Sequence, residues 1–200
     1  SIKYPSLSEL IAAMKIDEMQ GRKYFCRREI FLKWQVLSSA KIKSMKTQAL
    51  EKIAHHPKFQ NAHNIYIYAP LKYEIPFVFS LMEQFAQKTY FFPKIIEQTP
   101  VPKIEFGASK WEDLQKSPLG FLEPNRTRMT TSIEPDLVFV PAVAIDQNLD
   151  RLGRGGGYYD AFLHHTKSHK ISVVPDFARI QKVPTQPHDE KINEVLSVSV

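Results

Sequence analysis

Four of the seven glycines in this 200-residue chain fall within five positions, in the run Arg151-Leu152-Gly153-Arg154-Gly155-Gly156-Gly157-Tyr158-Tyr159-Asp160. Shortly before it stands Leu137-Val138-Phe139-Val140, apolar without period-two alternation, as a central strand covered on both faces should be. Behind the glycines the spacing predicts a helix from Gly157 or Tyr158 through His164, then a strand at Lys170 to Val174. Strand, loop, helix and strand make a βαβ unit, and ligands of such sheets bind beyond the carboxyl ends of the strands, where this loop falls. Glycine gives up entropy wherever it is fixed, so its concentration implies positive φ or backbone N–H groups that must reach a ligand. With Arg151 and Arg154 inside the loop and Asp160 closing it, that ligand reads as a phosphate with a metal ion.

The rest of the chain extends the pattern. Helices are expected from Ser6-Leu7-Ser8-Glu9, a capping box, to Gly21; from about Arg22 to Leu37; and from Ser39 to His55, with Pro57 ending the helical part. Short strand-like runs follow at Asn64 to Ala69, Thr89 to Phe92 and Val101 to Phe106, with helical segments at Pro76 to Gln87 and Ser109 to Gln115, an irregular link at Pro118 to Ser132, and a last strand at Val195 to Val200. The expectation is an α/β fold of three layers with a largely parallel central sheet: one domain over residues 1–200, a helical N-terminal part (1–57) packed on an α/β core (58–200).

Composition narrows the function. A hydrophobic content of 43% supports one sizeable core, while a formal charge of +6, spread along the chain, favours anionic partners. The lone Cys26 excludes an internal disulfide and a CxxC metal site, and the longest apolar run, Leu137 to Ile145, contains Pro141 and is far too short for a bilayer. A cytoplasmic, soluble protein with no export signal and no membrane partner is the resulting expectation; the charge alone suits a polyphosphate or polyanionic small molecule as well as nucleic acid, and the expectation weighed over the whole chain is a monomer with no nucleic-acid partner.

The loop is neither a Walker A motif nor a dinucleotide fingerprint, so general motifs do not name its ligand. A tight structural turn is the competing reading, against which stand three consecutive glycines flanked by arginines. Lys23 and Arg27 lie four apart on one helix face and could hold one phosphate chain, although a solvated basic face with Arg22, Arg28 and Lys33 would look the same. Glu74 follows a strand at the sheet's carboxyl edge, where it faces the same crevice or is an ordinary surface glutamate. The pairs His55-His56 and His164-His165, like Cys26, read as surface residues, and the aromatics around Phe91 as core.

In order along the chain, these segments resemble the 5-formyltetrahydrofolate cyclo-ligase family. The resemblance rests on Asp136 to Leu163 with its Arg-Leu-Gly-Arg-Gly-Gly-Gly-Tyr-Tyr-Asp core, on Lys23 with Arg27, on Tyr68 to Glu74, on Phe92-Pro93, on Gly120 to Pro124, and on Val183-Pro184 with His188-Asp189. It implies a fold similar to the sugar-phosphate isomerase and CoA-transferase-like group. It also implies an ATP- and Mg²⁺-dependent cyclisation of 5-formyltetrahydrofolate to 5,10-methenyltetrahydrofolate with release of ADP and phosphate. On this resemblance, Lys23, Arg27, Arg151, Leu152, Gly153, Arg154, Gly155, Gly156, Gly157, Tyr158 and Tyr159 would hold the nucleotide, with Lys23 and Arg154 taking part in catalysis. Asp160 and Asp189 would ligate Mg²⁺, while Ala69, Glu74, Arg154, Gly155, Gly156, Gly157 and Tyr158 would contact the folate, Glu74 through the pterin.

Departures from the family pattern occur at Asn148-Leu149, where a glycine is common, at Phe77 in place of a threonine and at Ala178 in place of a glutamine. They imply an intact nucleotide half and an altered folate half. The alternatives are a non-catalytic folate- or nucleotide-binding relative, an ATP-dependent enzyme acting on another formylated substrate, and a basic RNA-binding α/β module. Retention of Lys23, Arg27 and Asp160 speaks against the first, and aromatics confined to strand-like runs speak against the last.

Overall fold

The computed structural model describes residues 7–97, 103–118, 120–125 and 133–200. Ser6 of the expected capping box, the start of the strand expected at Val101 and most of the 118–132 link lie outside them.

A long helix, α1 (Leu7–Gln35), is followed by α2 (Ser39–Ala54) and the short α3 (Pro57–Asn61). Gly21 does not end α1, which runs through it without a break. A mid-helix glycine costs about 0.5–1 kcal/mol relative to alanine, too little to stop a helix of 29 residues. Pro57 likewise opens α3 instead of ending the helical part, since proline's missing N–H is no loss at the first helical position. In α2, Met45, Ala49 and Ile53 bury one stripe at four-residue spacing, and Ser38 caps the start by accepting from Lys41 N at 3.3 Å. The helix packs on the last strand, where Lys52 Nζ donates to Ser197 O at 2.6 Å.

Six strands form the main sheet: β1 (Asn64–Tyr66), β2 (Thr89–Glu97), β3 (Lys103–Ala108), β6 (Leu137–Phe139), β9 (His169–Pro175) and β10 (Glu194–Val198), in the order β10-β9-β6-β1-β2-β3. All neighbours are parallel except β2 and β3. The apolar 137–139 run is therefore central, as its lack of alternation required. Two small antiparallel pairs flank this sheet: β4 (Gln115–Lys116) with β5 (Leu122–Glu123), and β7 (Ala144–Ile145) with β8 (Arg151–Leu152). Neither pair is foreseen in the sequence, because two-residue strands carry no period.

Register separates the layers. Tyr66 lies beside Val138, so its ring is on the face opposite Phe139. On the Tyr66 face, Phe106 stacks at 4.1 Å and Phe162 of α5 (Tyr158–Leu163) at 5.9 Å. On the other face, Phe139 meets Phe59 of α3 at 6.3 Å and Phe77, which precedes α4 (Val78–Gln84), at 5.9 Å. The result is helix, mostly parallel sheet and helix, with β6, α5 and β9 forming the expected crossover. Buried apolar side chains from Ile30 to Val198 join in one cluster, and Tyr90, Phe91 and Phe92 are in it as foreseen. No helix is long and apolar enough to cross a membrane among the described residues.

His56 is not a surface residue. Its ring is largely covered, with Nε2 3.0 Å from Glu194 Oε2, an oxygen that His169 shares at 3.2 Å. Cys26 is half-buried against the core, and burial raises its thiol pKa first, with Glu29 adding to the rise. Phe77 and Ala178 are wholly buried in the same cluster, so these two departures repack the interior and do not line a ligand cavity.

Candidate active site

At the carboxyl edge of β1 and β6 the chain leaves the sheet as two loops, Tyr68 to Glu74 and Pro141 to Val143, which together with the glycine loop and residues of β2 and β3 enclose a cavity of about 260 Å³. Its walls are mainly apolar: Ala69, Leu71, Pro93, Ile95, Ile104, Leu122 and the rings of Tyr68, Tyr158 and Tyr159. Glu74, Arg151, Arg154, Asp160, Gly153, Gly155, Gly156 and Gly157 add the polar groups. A pocket with apolar walls and a few convergent charges fits a flat, partly polar ligand.

The glycine loop follows β8 and ends at α5. Gly155 and Gly157 hold φ of +102° and +69°, values that side chains with a Cβ rarely adopt. A Cβ at Gly153 would lie 2.8 Å from Arg151 Nη1, so the guanidinium held by Asp160 and Pro141 O would have to shift. Among the described residues, none of the backbone N–H groups from Gly153 to Gly157 donates to a protein acceptor. A row of free donors beside cations is what a phosphate chain requires.

Each cation of the loop region is held from a different element. Arg151, with a side chain 3% exposed, donates from Nη2 to Asp160 Oδ1 at 2.7 Å and from Nη1 to Pro141 O at 3.1 Å. Asp160 Oδ1 also accepts from Glu190 N at 3.3 Å. Arg154 Nε donates to Glu74 Oε1 at 2.9 Å, and its Nη2 donates to Lys72 O. Glu74, with a side chain 6% exposed, uses its other oxygen to accept from Leu71 N at 2.8 Å.

The two cations of α1 reach the site without lining the cavity. Arg27 Nε donates to Gly153 O at 2.7 Å, and burial pulls its guanidinium pKa down while the charge of Asp189 pushes it up. Lys23 is no solvated charge: its side chain is 8% exposed and its Nζ contacts Asp189 Oδ2 at 2.5 Å and Gln186 Oε1 at 3.3 Å. Asp189 Oδ2 also accepts from Gln186 N at 2.7 Å. Leu152 differs from the other predicted residues, since its side chain is buried in the core and its carbonyl accepts from Val143 N at 2.7 Å, keeping the β7–β8 register.

Two buried polar atoms of the site have no partner among the described residues, Tyr159 Oη and Arg151 Nε. Burial holds the Tyr159 and Tyr68 phenols well above the ordinary tyrosine range, with Glu74 adding to both shifts. Both therefore remain hydroxyl donors. Sequence reasoning missed several neighbours: Phe31, whose ring lies 5.6 Å from the Arg154 guanidinium, Tyr73, whose ring packs tilted against Phe31 at 5.2 Å, and Gln35, which donates to Tyr73 Oη at 3.2 Å. Their one signal was that Phe31 and Gln35 continue the face of Arg27 at four-residue spacing.

This arrangement, a glycine loop with free donors at the carboxyl edge of a mostly parallel sheet and an apolar pocket beside it, is that of an α/β protein with its candidate site at the sheet's carboxyl edge. The chain belongs to the 5-formyltetrahydrofolate cyclo-ligase family, which it matches over residues 19–198. It is 34% identical over 102 residues to the 5-formyltetrahydrofolate cyclo-ligase of Mycolicibacterium smegmatis, a match covering 49% of this chain and 52% of that protein. The mouse 5-formyltetrahydrofolate cyclo-ligase is 25% identical over 183 residues, covering 85% and 90% of the two chains. In fold, the chain is similar to the 5,10-methenyltetrahydrofolate synthetase of Aquifex aeolicus, with a TM-score of 0.77 over 88% of this chain and 89% of that one at 23% identity. The synthetase of Mycoplasma pneumoniae gives 0.69 over 86% and 96%, also at 23% identity.

Proposed function

We propose that the chain converts 5-formyltetrahydrofolate to 5,10-methenyltetrahydrofolate with consumption of ATP. The observation that carries the reading is the junction of two unlike half-sites in one cavity: the free N–H row and arginines of the glycine loop, and the apolar, tyrosine-lined pocket ending at Glu74. The first half suits a triphosphate and the second a pterin.

The chemistry follows from a poor leaving group. The formyl oxygen attacks the γ-phosphorus, the bond to the bridging oxygen breaks, and ADP leaves. The N10 lone pair then attacks the formyl carbon, the C–O bond breaks to release inorganic phosphate, and N10 gives up its proton. Lys23, Arg27, Arg151 and Arg154, with the N–H groups of Gly153 and Gly155 to Gly157, hold the phosphates and offset charge as it moves from the γ-phosphate to the leaving ADP. Their main work is alignment and charge stabilisation. Glu74 accepts from the pterin, while Ala69, Tyr158 and Tyr159 bound its ring.

The donor set fits Mg²⁺ bound chiefly through phosphate oxygens. Among the described residues no three His, Cys, Asp or Glu side chains converge on one point, whereas Mg²⁺ commonly takes one or two carboxylates plus phosphates. Asp160 lies at the cavity beside the glycine loop and is paired with Arg151; Asp189, paired with Lys23, does not line the cavity. Bound there, the ion would screen the phosphate charge.

The test is the absorbance of methenyltetrahydrofolate on mixing protein, 5-formyltetrahydrofolate, Mg²⁺ and ATP. Product that requires both ATP and metal is the expected result. Folate-independent ATP hydrolysis without product would assign the pocket to another substrate.

A further inference from the structure

Arg154 and Glu74 each have two claimants. Arg154 lies in the glycine loop, where a phosphate would draw it, yet its Nε is bonded to Glu74 Oε1 at 2.9 Å and its Nη2 to Lys72 O. Glu74 is the carboxylate at the apolar end of the cavity, where the N–H edge of an aminopyrimidine ring would seek it. One of its oxygens holds Arg154 and the other Leu71 N at 2.8 Å. Each oxygen can accept a second bond, but the Glu74 side chain is 6% exposed, so with Arg154 seated on it little of the carboxylate is left for a ring to reach.

The contact is supported from outside the loop. The Phe31 ring of α1 lies 5.6 Å from the Arg154 guanidinium, the Tyr73 ring packs tilted against Phe31 at 5.2 Å, and Gln35 donates to Tyr73 Oη at 3.2 Å. Tyr73 itself holds φ of +67°, a conformation that a bulky residue keeps only when its surroundings enforce it. At the other end, Gly155 at φ +102° gives the loop freedom to turn next to Arg154.

We propose that Arg154 is a latch that makes folate binding conditional on nucleotide. Seated on Glu74 and steadied by Phe31, it blocks the acceptor that the folate ring needs. A triphosphate on the glycine loop draws Arg154 away and frees Glu74. The two ligands then bind with positive coupling, and by linkage each tightens the other by the same factor. Phe31 and Tyr73 are positioning residues of this latch. The inference rests on the folate-and-ATP reading of the cavity.

Calorimetric titration of 5-formyltetrahydrofolate, with and without a non-hydrolysable ATP analogue and Mg²⁺, tests it. In the wild-type protein the folate Kd should fall at least about fivefold when the analogue is present, the low end of typical coupling between sites. Arg154→Ala should bind folate more tightly than wild type without the analogue and show little further change with it. Phe31→Leu, which leaves every charge in place, should lie between the two, and a thermal melt checks that both variants are folded. Equal folate affinity in the wild type under both conditions would overturn the latch while leaving the proposed function standing. Weaker folate binding by Arg154→Ala under both conditions would also overturn it, making Arg154 a simple folate contact. No folate binding under either condition would remove the proposed function and the latch together.

Discussion

Two turns flank the two-residue strand β8 (Arg151–Leu152), and they are built in opposite ways. The turn before it, residues 146–150, closes on a single wholly buried carboxylate. Asp146 Oδ1 accepts from Asn148 N at 2.8 Å and Asp150 N at 3.1 Å, Oδ2 accepts from Val183 N at 2.9 Å, and Asp146 N donates to Asp150 O at 3.1 Å. The glycine loop after it, residues 153–157, makes no such internal bonds. It is held by long side chains, through Arg27 on Gly153 O and through Arg154 on Glu74 and Lys72. A turn that satisfies its own backbone has nothing left to offer a ligand, whereas one that leaves its N–H groups free keeps them for binding. The same contrast explains Leu149, which holds φ of +63° without being a glycine. The Asp146 network over-determines that turn and tolerates the strain.

If the division is right, the largest effect on chemistry and the largest effect on stability belong to different aspartates. Asp160→Asn keeps an oxygen for Arg151 and Glu190 N but removes the carboxylate charge at the cavity. Its kcat should fall about 10²- to 10³-fold, the usual cost of losing one electrostatic contact to a transition state, with the thermal melt lowered less than in Asp160→Ala, because the amide oxygen keeps the hydrogen bonds although Arg151 loses its counter-charge. Asp160→Ala is the poorer probe. Arg151 is 3% exposed, and an unpaired buried charge costs about 3–5 kcal/mol, so loss of activity there would be confounded by unfolding. Undiminished turnover by Asp160→Asn would take the metal role away from this residue.

Asp146→Ala should do the reverse. Three backbone donors lose a buried acceptor, each unsatisfied group costing about 1–3 kcal/mol before relaxation. A net loss of about 2–4 kcal/mol in urea unfolding is expected, with kcat per folded molecule nearly unchanged. A variant of normal stability and low activity would show that the turn belongs to the site and would dissolve the contrast between the two loops.

How much of this could be read in the chain depends on how local each cause is. The central strand at Leu137 and the crossover behind it were legible, because burial on both faces and helical spacing are written in consecutive residues. So were the positive φ and the unpaired N–H groups of the 153–157 loop, which a high density of glycine implies. The unbroken α1 was not, since Gly21 carries a helix-ending signal too weak to decide the outcome of a 29-residue element. Nor was the contrast between the two turns, because Asp146 gains its meaning from Val183, far along the chain. The latch around Arg154 brings together Phe31, Tyr73 and Glu74 from two other segments. Phe77 and Ala178 misled for the same reason: their places in motifs near the pocket suggested folate contacts, and only packing shows that they face the core.

The smallest expected effect gives a sharper test of the site. Tyr159 Oη is buried and unpartnered among the described residues while its ring lines the cavity. An orphaned hydroxyl costs stability, so Tyr159→Phe should leave the protein unchanged or raise its unfolding free energy by up to about 1 kcal/mol. If the hydroxyl serves the ligand, the same variant should lose about 5- to 15-fold in folate affinity or kcat/KM, the net worth of one hydrogen bond of about 1–1.5 kcal/mol. A gain in stability paired with a loss in binding would place Tyr159 with the glycine loop, among groups left unsatisfied for a ligand. A gain with no loss in binding would place it with Leu149, as strain that the fold tolerates without using it.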